Sequence, residues 1–427
     1  MELTQQQILA HYQQPHVLHH MFVVSEHKEV VGSYGGNGFG KRPDALQYPT
    51  DIIQWVKRGI TSFHFSEELW HMPYMLKPGM SPQSMQVLRK GWDLILDIDC
   101  KIFAYSRICT HLLIEALYHC GVQSVSVKFS GNKGFHIAVP FEAFPQTFHG
   151  MPMAHLFPEV PKKIAEYLQY KIKDQLTQQV LALEGSVEAI AQRVQKSFDD
   201  ITHRVDGQRV LDVYTFIDLD TVLLSSRHLL RHVYSLHEKS GLVSLPINPK
   251  KVLLFEREVA KPESCIESRF VYLDRKVCVP DEATQLVVQA YDYQAPTLLL
   301  DEVQKEVMYE QLAEAIPELY FPDCIKKMLL GVQDGKKRVV FVLINFLQSV
   351  GWGPQAIEQR IFAWNEQNPQ PLAHGYIMGQ LKHGLGKQVL PPNCANASYY
   401  KELGFSCVEC SAGNPVVACK RRFKYKK

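Results

Sequence analysis

The segment Trp92-Asp93-Leu94-Ile95-Leu96-Asp97-Ile98-Asp99 constrains this chain more than any other, because it is an apolar run that reads as a buried strand and closes in two carboxylates. Alternate residues of a strand face the same side of a sheet, so Asp97 and Asp99 project together while Ile98 enters the opposite layer. Two carboxylates on one face can share hard divalent cations, and a cation pair is the usual device of phosphoryl and nucleotidyl transfer. An acidic strand end in solvent has the same pattern, so the pair needs support from the rest of the chain.

The flanking segments supply a fold. Residues 101–119 carry apolar side chains at helical spacing, with Cys120-Gly121 as the cap. Residues 122–129 form a β-branched run that leads through Ser130-Gly131-Asn132-Lys133-Gly134 into a second run at 135–140, the pattern of a hairpin. Residues 154–197 are helix-biased, and strand-like runs return at 210–216 and 242–246. The pattern weakens over 260–317, which reads as a connecting region, and becomes helical again from Cys324 to Phe362. The sequence predicts an α+β fold with mixed or antiparallel sheets and flanking helices, followed by a small, mainly helical C-terminal domain. The expected division is 1–259, 260–317 and 318–427.

Composition agrees. The 427 residues include 46 Lys+Arg against 44 Asp+Glu, a net charge of +2, with 46% apolar and 21% charged residues. That is ordinary globular composition, enough for two to three domains at about 150 residues each. No apolar run reaches the roughly 18 residues of a membrane span, and residues 1–5 carry no basic stretch leading into an apolar one. A cytoplasmic chain is expected. Ten cysteines are too sparse for a disulfide-stapled scaffold. Cys100, Cys109, Cys120, Cys265 and Cys278 are scattered, whereas Cys394, Cys407, Cys410 and Cys419 cluster near the C-terminus with Cys324 upstream, a pattern that points to metal. The last residues, 420–427, hold six basic side chains interleaved with Phe423 and Tyr425, a composition suited to phosphates and bases.

Two further segments carry chemistry. In Ser130-Gly131-Asn132-Lys133-Gly134-Phe135-His136, paired glycines let backbone N–H groups approach an anion while Ser130 and Lys133 add donors. An ordinary glycine-containing hairpin explains each residue singly, but the whole string less well. Residues 226–241 place Arg227, His228, Arg231, His232, His237 and Lys239 in a short span broken by apolar residues, as in a lined cleft. Asp218 and Asp220 precede it, and either can complete a carboxylate triad. A haloacid-dehalogenase-type phosphatase also opens on Asp-x-Asp, but it favours Thr or Val where this chain has Lys101.

In their order and spacing, Leu96-Asp97-Ile98-Asp99, then Ser-Gly-x-x-Gly-x-His, then His-Leu-Leu-Arg with Tyr-Ser-Leu-His-x-Lys-Ser-Gly, resemble the catalytic subunit of archaeal and eukaryotic DNA primases. The resemblance spans about residues 29–249. Polymerase domains of bacterial end-joining ligases share the Ser-Gly-x-x-Gly-x-His-x-x-Val-Pro form but lack the Tyr-Ser-Leu-His-x-Lys-Ser-Gly element.

The resemblance implies that Asp97, Asp99 and a third carboxylate, Asp220 or alternatively Asp218, hold Mg²⁺ or Mn²⁺. Ser130, His136, Lys133 and Lys239 would bind the triphosphate, with His237, Arg231 and Arg227 nearby and Arg42 as a nucleotide-facing arginine. Asn132 stands where a second basic residue is common. The zinc knuckle that many relatives insert after Asp-x-Asp is not expected here, since Lys101 leads directly into a helix.

Toward the C-terminus, Phe321-Pro322-Asp323-Cys324, Gly335-Lys336-Lys337-Arg338 and Pro391-Pro392-Asn393-Cys394 resemble the iron–sulfur domain of the large primase subunit. A [4Fe–4S] cluster needs four thiolates; Cys324, Cys394, Cys407, Cys410 and Cys419 offer five. The favoured set is Cys324, Cys394, Cys407 and Cys410, with Cys419 able to displace either of the last two. A local zinc site from Cys394, Cys407, Cys410 and Cys419 is the alternative. Lys336, Lys337, Arg338 and His383 would then hold an initiating triphosphate or primer 5′ end. The implied activity is de novo primer synthesis on single-stranded DNA from nucleoside triphosphates. The alternatives are an end-extending polymerase and a non-catalytic single-strand binder. A helicase or polymerase partner and a nucleoid-associated location would follow, with no separate large subunit required.

Overall fold

The computed structural model describes residues 3–35, 38–77, 79–205, 207–219, 226–265, 267–293, 315–333, 335–385, 389–394, 396, 399–400, 403–405 and 413–424. The chain divides into two compact units, Met1–Thr297 and Leu298–Lys427.

The strands of the first unit that bear on its chemistry are β1 (Val30–Ser33), β2 (Ser62–Ser66), β3 (Leu94–Cys100), β4 (Ser126–Phe129), β5 (Phe135–Val139), β6 (Ile217–Leu219), β7 (Leu229–Arg231) and β8 (Pro246–Ile247). They form two sheets, one in the order β1-β2-β7 and one in the order β6-β3-β5-β4-β8. Every strand pair among the described residues is antiparallel. The chain leaves the larger sheet at Leu219 and joins the smaller one at Leu229, so one short segment serves both.

Strand β3 is the second strand of the larger sheet because its apolar residues can be covered on both faces. Leu94, Ile95, Leu96 and Ile98 are buried, and polarity begins only at Asp97. Helix α1 (Phe103–His119) follows almost at once and stops at Cys120, as its spacing predicts. It packs against α2 (Glu159–Glu184), which is shorter than the helix-biased stretch of the sequence because the chain turns at Gly185. Phe103, Phe129, Phe135 and Phe255 meet ring to ring behind the hairpin.

Residues 260–293, expected as part of a connecting region, pack onto the first core: Ala260, Tyr272, Leu273 and Ala283 are buried, and α3 (Thr284–Asp292) packs on α2 through Leu286, Val287 and Ala290. Arg275 also reaches into this unit and binds the buried Asp93 carboxylate at 2.7 Å. The weak periodicity reflects short pieces that each bury a few side chains, not exposure.

The second unit is helical: α4 (Asp323–Met328), α5 (Lys336–Ser349), α6 (Pro354–Glu366), α7 (His374–Gly384) and α8 (Pro415–Lys424). Helix α5 is central, burying Val339, Val340, Leu343, Phe346 and Leu347. Trp364 fills the core and donates its indole N–H to the Met328 carbonyl at 2.8 Å. The start of the basic tail is not a free arm: residues up to Lys424 are helical, and Arg422 binds the Phe321 carbonyl and Asp323. No helix among the described residues is long and apolar enough to cross a membrane.

Candidate active site

Register builds the site. Asp97 of β3 stands opposite His136 of β5, and His136 stands opposite Lys128 of β4. Directly opposed residues share a face, so Lys128, His136 and Asp97 form a row across three strands. In the neighbouring row Asp99 stands opposite Asp218 of β6. Asp218 thus shares the face of Asp97 and Asp99, while Asp220 lies outside the described residues. Asp97 is about one-third exposed and Asp99 more than half, so both carboxylates open to solvent.

Asp97, Asp99 and His136 line an open cleft of about 250 Å³ with His64, Ser130, Asn132, Lys133, His228, Arg231 and His237. The larger sheet supplies the acids. The smaller sheet supplies His64 and Arg231, opposed across β2 and β7, and His237 comes from the loop after β7.

The hairpin turn at 130–134 is over-determined. Gly131 has φ +98°, a conformation that favours glycine, and a Cβ on Gly134 would sit 1.7 Å from the Ile98 carbonyl oxygen. Ser106 of α1 donates to the Lys133 carbonyl at 2.9 Å. The Ser130 hydroxyl oxygen accepts from the Asn132 and Gly134 amides at 3.4 and 3.2 Å. Those two amides are therefore spent within the turn, and the Ser130 O–H and the Lys133 ammonium are its side-chain donors. Lys133 Nζ lies 4.0 Å from Asp99 Oδ2.

Arg231 is held by the Leu236 carbonyl and by Glu238, both at 2.7 Å. Burial pushes the Glu238 carboxyl up, but Arg231 and the Ser62 hydroxyl outweigh it and hold it at about 2. Burial, with Arg231 adding repulsion, lowers His64 to about 3 and His237 to about 4. Burial and the neighbouring Lys128 push His136 well below the usual imidazole range. At neutral pH these three imidazoles offer N–H donors rather than charges. His237 Nδ1 accepts from the Lys239 amide at 3.2 Å, which leaves its other nitrogen to donate. Lys239 is exposed beside this loop and does not line the cleft.

Two of the arginines expected near the nucleotide bind a carboxylate in this structure. Arg42 binds the Glu29 carboxylate through two nitrogens at 2.9 and 3.1 Å and the Arg227 carbonyl at 2.7 Å. Arg227 binds the same carboxylate at 2.8 and 3.1 Å. The Glu29 side chain is fully buried, and a buried carboxylate needs such partners; the two arginines serve it.

Sequence reasoning missed Lys128 and His64. Lys128 had a signal: a turn of five residues pairs Phe129 with Phe135, and therefore Lys128 with His136. His64, in Ser62-Phe63-His64-Phe65-Ser66, had none.

Among the described residues no three of His, Cys, Asp and Glu stand close enough together to hold a metal. The exposed pair Asp97 and Asp99, with Asp218 in register, is a donor set of the hard oxygen type that divalent cations favour. In the second unit Cys324 and Cys419 are buried, and Cys407 and Cys410 lie outside the described residues. Burial pushes the Tyr400 phenol up, and the thiols of Cys324 and Cys394 both add to the shift. Lys336, Lys337 and Arg338 form the first turn of α5, which has no acidic residue; Lys336 binds the Gln333 carbonyl and Lys337 lies over the Tyr376 ring.

Residues 95–249 match the family model of the DNA primase small subunit. This stretch contains the hairpin, both rows of acids and the Arg231–Lys239 segment. No curated protein matches the chain. Among solved structures, the polymerase domain of Mycobacterium tuberculosis ligase D in complex with DNA is similar over 68% of this chain and 89% of its own length, at 14% identity and a TM-score of 0.35. The family match supports a primase-type catalytic domain in the first unit, and with it a nucleotidyltransferase.

Proposed function

We propose that this protein synthesises short primers de novo on single-stranded DNA from nucleoside triphosphates. The observation that carries the reading is the single cleft in which Asp97 and Asp99 face His136, Arg231 and Lys133. Carboxylates beside donors in one open cleft suit a triphosphate, whose charge needs compensation where the phosphorus is attacked.

Asp97 and Asp99, with Asp218 or Asp220 as the third carboxylate, would hold Mg²⁺ or Mn²⁺. Such a cation supplies activation of a 3′-hydroxyl and compensation of the leaving charge when bound. Ser130, Lys133, His136, Arg231 and His237 would orient the triphosphate, and Lys239 would reach it from the cleft margin. No protein nucleophile is required.

For the second unit, we propose a short counterpart of the large-subunit domain. Three cations opening α5 oppose the positive end of that helix, an arrangement an anion would relieve; an initiating triphosphate or primer 5′ end is such an anion. Cys324, Cys394, Cys407, Cys410 and Cys419 offer the thiolates for a [4Fe–4S] cluster or, as the alternative, zinc. A cytoplasmic, nucleoid-associated location goes with this activity.

The test is synthesis on single-stranded DNA with labelled nucleotides and no primer. Dinucleotides and longer products are expected, and they should vanish to background in Asp97→Ala and Asp99→Ala while single-strand binding persists. Extension of added primers without de novo dinucleotides would replace this reading with an end-extending polymerase. Unchanged synthesis in both variants would overturn the acid assignment.

A further inference from the structure

We infer that Lys128 is a positioning residue of this site: it donates a hydrogen bond to Nδ1 of His136 and thereby fixes the tautomer that presents the Nε2–H to the cleft. The inference rests on the nucleotidyl-transfer reading above and assigns a role to a residue no motif contains.

The Lys128 side chain is fully buried in β4 between Val127 and Phe129. Lysine is almost never buried without a strong partner, and an aliphatic residue would fill this strand position with no desolvation cost. What Nζ meets is His136 Nδ1 at 2.9 Å and Ser244 Oγ at 2.9 Å, with the Tyr272 ring 5.4 Å away. The Ser244 hydroxyl donates to the Phe129 carbonyl at 3.0 Å, so its oxygen receives the hydrogen bond from Lys128. Both contacts use Nζ as donor.

The imidazole agrees. Lys128 Nζ, which also donates to Ser244, brings an N–H donor to His136 Nδ1, and a neutral imidazole carries one N–H. Nδ1 is therefore the bare nitrogen and the hydrogen is on Nε2, the edge that faces Asp97 Oδ1 at 3.4 Å. The row Lys128–His136–Asp97 has one consistent direction, from the interior to the cleft. Without Lys128, His136 is free to carry its hydrogen on Nδ1 and to turn a lone pair toward the place where a phosphate oxygen would sit.

The experiment uses the full chain with ¹⁵N-labelled histidine, His136 being assigned by loss of its signals in His136→Gln. Long-range ¹H–¹⁵N correlation spectra should report the Nε2–H tautomer in the wild type and a mixture or the Nδ1–H form in Lys128→Met. In steady-state synthesis Lys128→Met should raise KM for the nucleotide roughly tenfold, the scale of one lost hydrogen bond, with a smaller change in kcat. Lys128→Gln, which keeps an N–H donor, should recover part of the loss. A wild-type Nδ1–H tautomer overturns the inference without any variant, as does an unchanged KM in a folded Lys128→Met protein. A wild type that makes no product would overturn the functional reading instead, and the tautomer spectrum separates the two failures.

Discussion

The two units gather their reactive side chains in different ways. In the first, Asp97 and Asp99 sit two residues apart on one strand, and antiparallel partners bring His136, Lys128 and Asp218 beside them at fixed register. In the second, Cys324 opens a short helix, Cys394 lies in a loop and Cys419 sits on the last helix. A strand fixes which residues share a face over a few ångströms of chain, whereas thiols drawn from distant helices meet only if the whole helical core folds. The acid cluster is therefore a local property of a sheet, whereas any site built from these thiols would be a global property of its unit.

The largest effect that would break this contrast concerns metal. After anaerobic purification, Cys324→Ser and Cys394→Ser should lose the iron or zinc bound per chain, because thiolate ligation and folding of such a unit are coupled, while Asp97→Ala should retain it. Full metal content in both cysteine variants would show that the upstream thiol has no part in a site.

A smaller but sharper test lies in the first unit. Gly134→Ala forces a Cβ into the Ile98 backbone, so the hairpin must move away from β3. The expected cost is about 3 kcal/mol, the upper end for overpacking, read by denaturant unfolding, together with a loss of synthesis because Ser130, Lys133 and His136 shift with the turn. Wild-type stability and activity would mean that register does not hold the site.

The smallest effect is the pH dependence of stability. His232 is completely buried between Ser25 and Phe65, and burial lowers its imidazole from 6.5 to about 3. The unfolded chain takes up the proton first as pH falls below 6.5, so stability drops with falling pH until about 3, where the folded state also protonates. Between pH 7 and 5 this residue alone should cost about 2 kcal/mol, with His11, His64 and His237 acting in the same direction. His232→Gln should flatten the slope; an unchanged slope would remove His232 from the account.

Much of the site was legible without coordinates because its signals are short-range. The strand ending in Asp97 and Asp99, the helix behind it and the hairpin around 130–134 all follow from periodicity and turn residues within about forty positions. The surroundings of two arginines were not legible, for the opposite reason. Arg42 and Arg227 sit in motif-like segments, yet their partner is Glu29, a carboxylate whose burial no local pattern announces. The packing of residues 260–293 was not legible either, since short buried pieces without repeating spacing leave no periodic signal.

The sequence by itself determined the strand, the acid pair, the glycine turn and the helical character of the C-terminal unit, because backbone periodicity and steric rules act between near neighbours. Only the tertiary structure decided which charges face the cleft and which are consumed inside, that Asp218 stands opposite Asp99, and that a buried lysine backs His136. Those outcomes depend on desolvation and cross-strand register, which exist only once remote segments have packed together.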